Sequence, residues 1–112
     1  MKNVYKIESS ALGEAKKILE APEEMREVSP GKQELHVNHF ARNGYILRDA
    51  KSMGFNRDCY YLYVNGSEEF FKHNEKSLMS IKGVTKLSGK EHDEVKKKVE
   101  DELSGAESGI GS

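Results

Sequence analysis

The stretch Asp58-Cys59-Tyr60-Tyr61-Leu62-Tyr63-Val64-Asn65-Gly66-Ser67-Glu68-Glu69-Phe70-Phe71-Lys72-His73 decides how the chain is read. Asn65-Gly66 is a strong short-range hairpin signal, because both central residues of a type I′ turn take positive φ and Asn and Gly tolerate that best. An aromatic and β-branched run precedes it and a Phe pair follows, the residue types that fill a pleated surface. The expected register pairs Tyr61 with Phe70, Tyr60 with Phe71, Cys59 with Lys72 and Asp58 with His73. Side chains alternate, so Tyr60, Leu62, Val64 and Phe71 are expected on one face, with Cys59, Tyr61, Tyr63 and Phe70 on the other. Both faces carry bulk. The first set makes the better core, which leaves the second as the face in question.

The chain has 112 residues, enough for one modest core. With 33% charged residues against 36% hydrophobic and a formal net charge of -1, it is not an obvious polyanion binder. Cys59 is the only cysteine, which excludes an intrachain disulfide and a thiolate metal cage and favours a reducing compartment. The first residues lack an apolar signal-peptide core and the longest apolar run is Cys59 to Val64, so a cytoplasmic protein with no membrane partner is expected.

Outward from the organising stretch, Asn3 to Glu8 reads as a strand. Leu12, Ala15, Ile18 and Leu19 recur at helical spacing behind Ser9 and Ser10. Pro22 ends that helix or restarts it with Glu23 and Glu24 in a new first turn, and Ser29-Pro30-Gly31 closes the helical part. Gln33 to Phe40 and Tyr45 to Arg48 read as two strands around an Ala41-Arg42-Asn43-Gly44 turn. Asp49 to Arg57 is a connection with room for one helical turn, and Leu78 to Leu87 is a last strand interrupted at Gly83. Ser88 and Glu91 have capping-box spacing, and Val95, Val99 and Leu103 form the narrow stripe of a C-terminal helix. The domain is expected over residues 1–103, with a flexible Gly/Ser-rich tail over 104–112.

The expected class is therefore α+β, in the order β-α-β-β-β-β-α. That order and the central hairpin resemble the TATA-binding-protein-like group and a small family of short archaeal proteins of unassigned function with that fold. The resemblance implies a curved antiparallel sheet with its helices on one face and the other face open. It supplies no functional residue, since the TATA-binding protein itself needs two such units and this chain has one.

For chemistry, His36 and His39 sit three apart and point to opposite faces of a regular strand, which argues against a metal pair. His73 is expected to face away from Cys59, leaving that thiol without a base. No paired carboxylates, phosphate loop or nucleophile elbow is present, so no catalytic residue, metal or cofactor is assigned. The candidate surface is the open sheet face, with Tyr61, Tyr63 and Phe70 flanked by Lys72, Arg42 and His36. Such a face suits a protein partner or homodimer. Alternatives are a stacking platform for single-stranded nucleic acid and a hydrophobic-ligand site between sheet and C-terminal helix.

Overall fold

The computed structural model describes residues 1–111, with side chains through Ser104. Strand β1 (Lys2–Glu8) lies inside a four-stranded antiparallel sheet, between β5 (Cys59–Asn65) and the short β6 (Val84–Lys86). Strand β4 (Ile46–Asp49) pairs with the far side of β5 and completes the order β4-β5-β1-β6. A second sheet contains only β2 (Glu24–Ser29) and β3 (Lys32–His36). The helices are α1 (Leu12–Leu19), α2 (His39–Asn43), α3 (Glu68–Met79) and α4 (Gly89–Gly111).

The α+β class and the antiparallel sheet are as expected, but the organising hairpin is not there. After Asn65 the chain leaves the sheet and enters α3. Neither Asn65 nor Gly66 has positive φ, so the backbone cannot make a type I′ turn. The Gly66 N–H instead donates to the Met1 carbonyl at 2.9 Å, and β5 takes β1 as its neighbour, Tyr63 opposite Val4 and Tyr61 opposite Lys6. The competing signal is Ser67-Glu68-Glu69. The Ser67 hydroxyl accepts from the Phe70 N–H at 3.1 Å, and two acids occupy the first turn, where the helix dipole favours them. Phe71 and Leu78, seven apart, then bury one face of α3. The expected Asp58–His73 pair is replaced as well: Asp58 accepts from the Ser9 hydroxyl at 3.1 Å, while His73 lies against Glu69 one helical turn away at 3.2 Å.

Other boundaries shift for similar reasons. Pro22 ends the first helical segment and the chain continues into strand β2, so Ser29-Pro30-Gly31 is a hairpin turn between strands. The turn expected at 41–44 is α2, capped by the Asn38 side chain, which accepts from the Ala41 N–H at 3.0 Å. The last strand shortens to Val84–Lys86, with Gly83 at φ +99 before it. The tail expected over 104–112 falls on positions whose side chains, beyond Ser104, lie outside the described residues.

Alternation along β5 holds, and it explains why both faces looked apolar. Leu62 and Val64 join Tyr5, Ile7, Ala15, Leu19, Phe40, Phe71 and Leu78 in one core, beneath α1, α2 and α3. Cys59, Tyr61 and Tyr63 join Val4, Ala50, Met53, Val95 and Val99 in a second, beneath α4. Helices thus cover both faces of the sheet, not one. A strand buried on both sides reads as a continuous apolar run, as Cys59 to Val64 does.

Candidate interaction surface

The residues expected on an open sheet face are not brought together on one. Tyr61 is 0% exposed and Tyr63 6%, both covered by α4. Phe70 stands on α3 on the opposite side of the sheet, edge-on to Phe40 and Phe71 at 5.3 Å between centroids. Lys72 is exposed on α3, Arg42 is exposed on α2, and His36 is half-buried at the end of β3. The expected surface fails because the Val95 and Val99 stripe of α4 needs an apolar partner, and the tyrosine face is that partner.

The tyrosine hydroxyls do not reach solvent as recognition groups; they anchor helices. Tyr61 donates to Glu91 at 3.0 Å and Tyr63 to Glu100 at 2.9 Å, both acceptors on α4. On the other face Tyr5 donates to Glu75 of α3 at 2.6 Å. Burial pushes the Tyr63 hydroxyl up to about 12, with the Glu100 hydrogen bond adding to the shift. Glu100 is held down at about 2 by the Lys2 ammonium at 2.6 Å and by the Tyr63 hydroxyl. Burial also pushes the Tyr61 hydroxyl up, against the opposing hydrogen bond from Arg57. Each buried O–H thus has a carboxylate partner, the arrangement that makes a tyrosine tolerable in a core.

Among the described residues no group of three His, Cys, Asp or Glu side chains converges as a metal site would require. His36 and His39 are separated by the end of β3 and the start of α2. Cys59 is buried in the second core. Between the ends of β4 and β5 and the far part of α4 lies an open groove of about 330 Å³, lined by Asn43, Tyr45, Ile46, Tyr63, Asn65 and Leu103. No described helix is long and apolar enough to cross a membrane.

The bare surface lies elsewhere, on the β2–β3 hairpin. Every residue of β2 is exposed, and in β3 only His36 is even half-buried. Met25 and Leu35 are directly opposed across the two strands, and they remain 58% and 53% exposed. Directly opposed side chains share a face, so this is a continuous apolar pair in water. The two strands pack chiefly on each other and barely on the body. Neither outer edge pairs with another strand among the described residues.

The root of this hairpin is firmly tied. The Asn38 amide nitrogen donates to the carbonyls of Leu19 and Ala21, both at 2.9 Å, while its oxygen caps α2. Glu23, just before β2, accepts from the Asn38 N–H at 2.9 Å and from Arg42 Nε at 2.7 Å. The Arg42 guanidinium and then the Asn38 N–H hold the Glu23 carboxyl below the usual carboxylate range. Arg42, expected on a binding face, is therefore a fastener of the hairpin root. The arm is exposed but held from both of its ends. The sequence carried a signal for this: Ser29-Pro30-Gly31 sits midway between two segments without helical periodicity, Glu24 to Val28 and Lys32 to His36.

Comparison with protein-family models, with curated proteins and with solved structures gives no match.

Proposed function

We propose that this protein is a non-catalytic interaction module whose working surface is the β2–β3 hairpin, in place of the sheet face that sequence pattern favours. The single observation that carries the reading is the Met25–Leu35 pair, opposed across two strands and more than half exposed on both sides. A two-stranded hairpin is marginal in water unless further strands or a packed layer support it, and its free edges present unpaired backbone donors and acceptors. Such an edge takes up an added strand: main-chain hydrogen bonds supply the affinity, and alternate side chains supply the selectivity. The Asn38 and Glu23–Arg42 contacts at the root support this use, since an arm fixed before binding loses less freedom on binding.

The nucleic-acid alternative loses its support. Its stacking rings were Tyr61, Tyr63 and Phe70; the first two lie beneath α4, Phe70 packs edge-on to Phe40 and Phe71 on the other side of the sheet, and the hairpin itself offers no aromatic residue. Between Glu24 and His36 it carries Glu24, Glu27 and Glu34 against Arg26 and Lys32, without a basic excess.

Selection of a displayed random-peptide library on the whole protein tests the proposal. Enriched peptides should be extended, with apolar residues at alternate positions. Their binding should be lost in Leu35→Lys, and their NMR shift changes should stay within residues 24–36. Enrichment that survives Leu35→Lys, or shift changes centred on the body, contradicts it.

A further inference from the structure

Resting on that reading of the hairpin, we propose that the strand added to it is β3 of a second copy of this chain, paired antiparallel about a two-fold axis at Leu35. The two edges of the hairpin are unequal, and the inequality selects β3. Strand β2 carries a register shift between Glu27 and Ser29 and is preceded by Pro22, which has no N–H to give. Bulges and prolines are the usual means of blunting an edge. Strand β3 runs Lys32–His36 with regular pairing from Gln33 to His36 and contains neither device.

Register then comes from side-chain chemistry. A two-fold axis perpendicular to a sheet places one residue opposite itself and sets the others symmetrically around it. Centred on Leu35, it puts Leu35 against Leu35, Glu34 against His36 and Gln33 against Val37. Each hairpin already sets Met25 beside Leu35, so one face of the four strands becomes a row Met25, Leu35, Leu35, Met25. On the other face, Arg26 opposes Glu34 and Glu24 opposes His36 within each hairpin. The combined row is Arg26, Glu34, then His36 and Glu24 of the second copy: donors and carboxylates alternate across all four strands, twice over.

Neighbouring registers do worse. Centring on Glu34 sets two carboxylates face to face and Gln33 against Leu35. Centring on Gln33 keeps a Lys32–Glu34 pair but sends Leu35 to the turn glycine, Gly31. Pairing about Leu35 also turns two marginal hairpins into one four-stranded sheet with an apolar face, the size at which such sheets gain independent stability.

Sedimentation equilibrium of the full chain from low micromolar to near-millimolar concentration, combined with cysteine cross-linking, tests this. The chain should reach a dimer, and Leu35→Lys should weaken it at least about tenfold. Glu34→Lys and His36→Glu should each be monomeric alone yet dimerise when mixed, because the mixed pair faces Lys to Glu on one side and Glu34 to His36 on the other. Leu35→Cys should cross-link to its own copy under oxidised glutathione, since Cys59 is buried and does not compete. Gln33→Cys should not. Circular dichroism of each variant confirms that the body is folded. A chain that stays monomeric throughout overturns self-pairing, and the peptide selection then decides separately whether the hairpin binds other strands. A dimer indifferent to Leu35→Lys, or one that cross-links through Gln33→Cys, overturns the proposed surface or register.

Discussion

Strands β5 and β3 are of similar length in the same chain, yet one is covered on both faces and the other on neither. From Cys59 to Val64 every side chain of β5 is buried or half-buried, whereas from Lys32 to Leu35 every residue of β3 is exposed. The difference comes from what each strand can recruit. Bulky residues at both parities of β5 draw α1, α2 and α3 to one side and α4 to the other. β3 has a single large apolar residue, Leu35, facing Met25, too little to hold a helix. A strand with no layer to cover it remains a place where something else can add.

Substitutions should register this contrast in order of size. Leu62→Ala removes a fully buried side chain from the first core and should cost about 2–5 kcal/mol in chemical denaturation. A value under about 1 kcal/mol would mean that the core under α1–α3 is not closed. At the junction between body and arm, Asn38→Ala strips three hydrogen bonds from a residue only 4% exposed and should cost about 1–3 kcal/mol. The hairpin amides should also exchange faster in that variant. Ser67→Ala removes the cap that turns the chain away from a hairpin and into α3, a loss of about 1 kcal/mol.

The α4 face adds a pH signature. The Glu100 carboxyl is lowered from its usual 4.5 to about 2, so its contribution is present above pH 4.5 and fades as the pH falls toward 2. Tyr63 is raised from 10.0 to about 12, so its contribution is complete below pH 10 and fades as the pH rises toward 12. Glu100→Gln should flatten the acid limb by less than about 1 kcal/mol, because its side chain retains 30% exposure and its pair with Lys2 is screened. Smallest of all, Leu35→Ala should change the monomer's stability by no more than about 0.5 kcal/mol. The same kind of truncation is thus severe in β5 and nearly silent in β3.

How much of the fold is legible in the sequence divides the same way. The alternation of β5 is readable, as are β1, α1, β4 and the Val95–Val99 stripe, because each has a strong apolar period. Of the four side chains expected together on the second face, Cys59, Tyr61 and Tyr63 do lie together, while Phe70 packs against the opposite core. Their cover is not readable, since a stripe on α4 does not say which face of the sheet it will meet. Asn65-Gly66 misleads because two local signals overlap there, the turn dipeptide and the Ser67 cap with its two acids. The cap prevails, and the β1 edge offers β5 a better partner than Phe70-Phe71. Strand β2 is hidden for the opposite reason. Glu24-Met25-Arg26-Glu27-Val28 is charged and buries nothing, and acids after Pro22 look like a helix start. The strands that build the proposed interaction surface are the ones with least apolar signal.

Hydroxyl-radical footprinting with mass spectrometry, at a concentration low enough to keep the chain monomeric, tests the central contrast most directly. Met25 and Leu35 should be modified rapidly, while Tyr61, Tyr63 and Met53 stay protected until the protein unfolds. Modification of Tyr61 and Tyr63 at a rate comparable to Met25 would contradict the account, because the tyrosine face would then be open and the hairpin would not be the exposed surface.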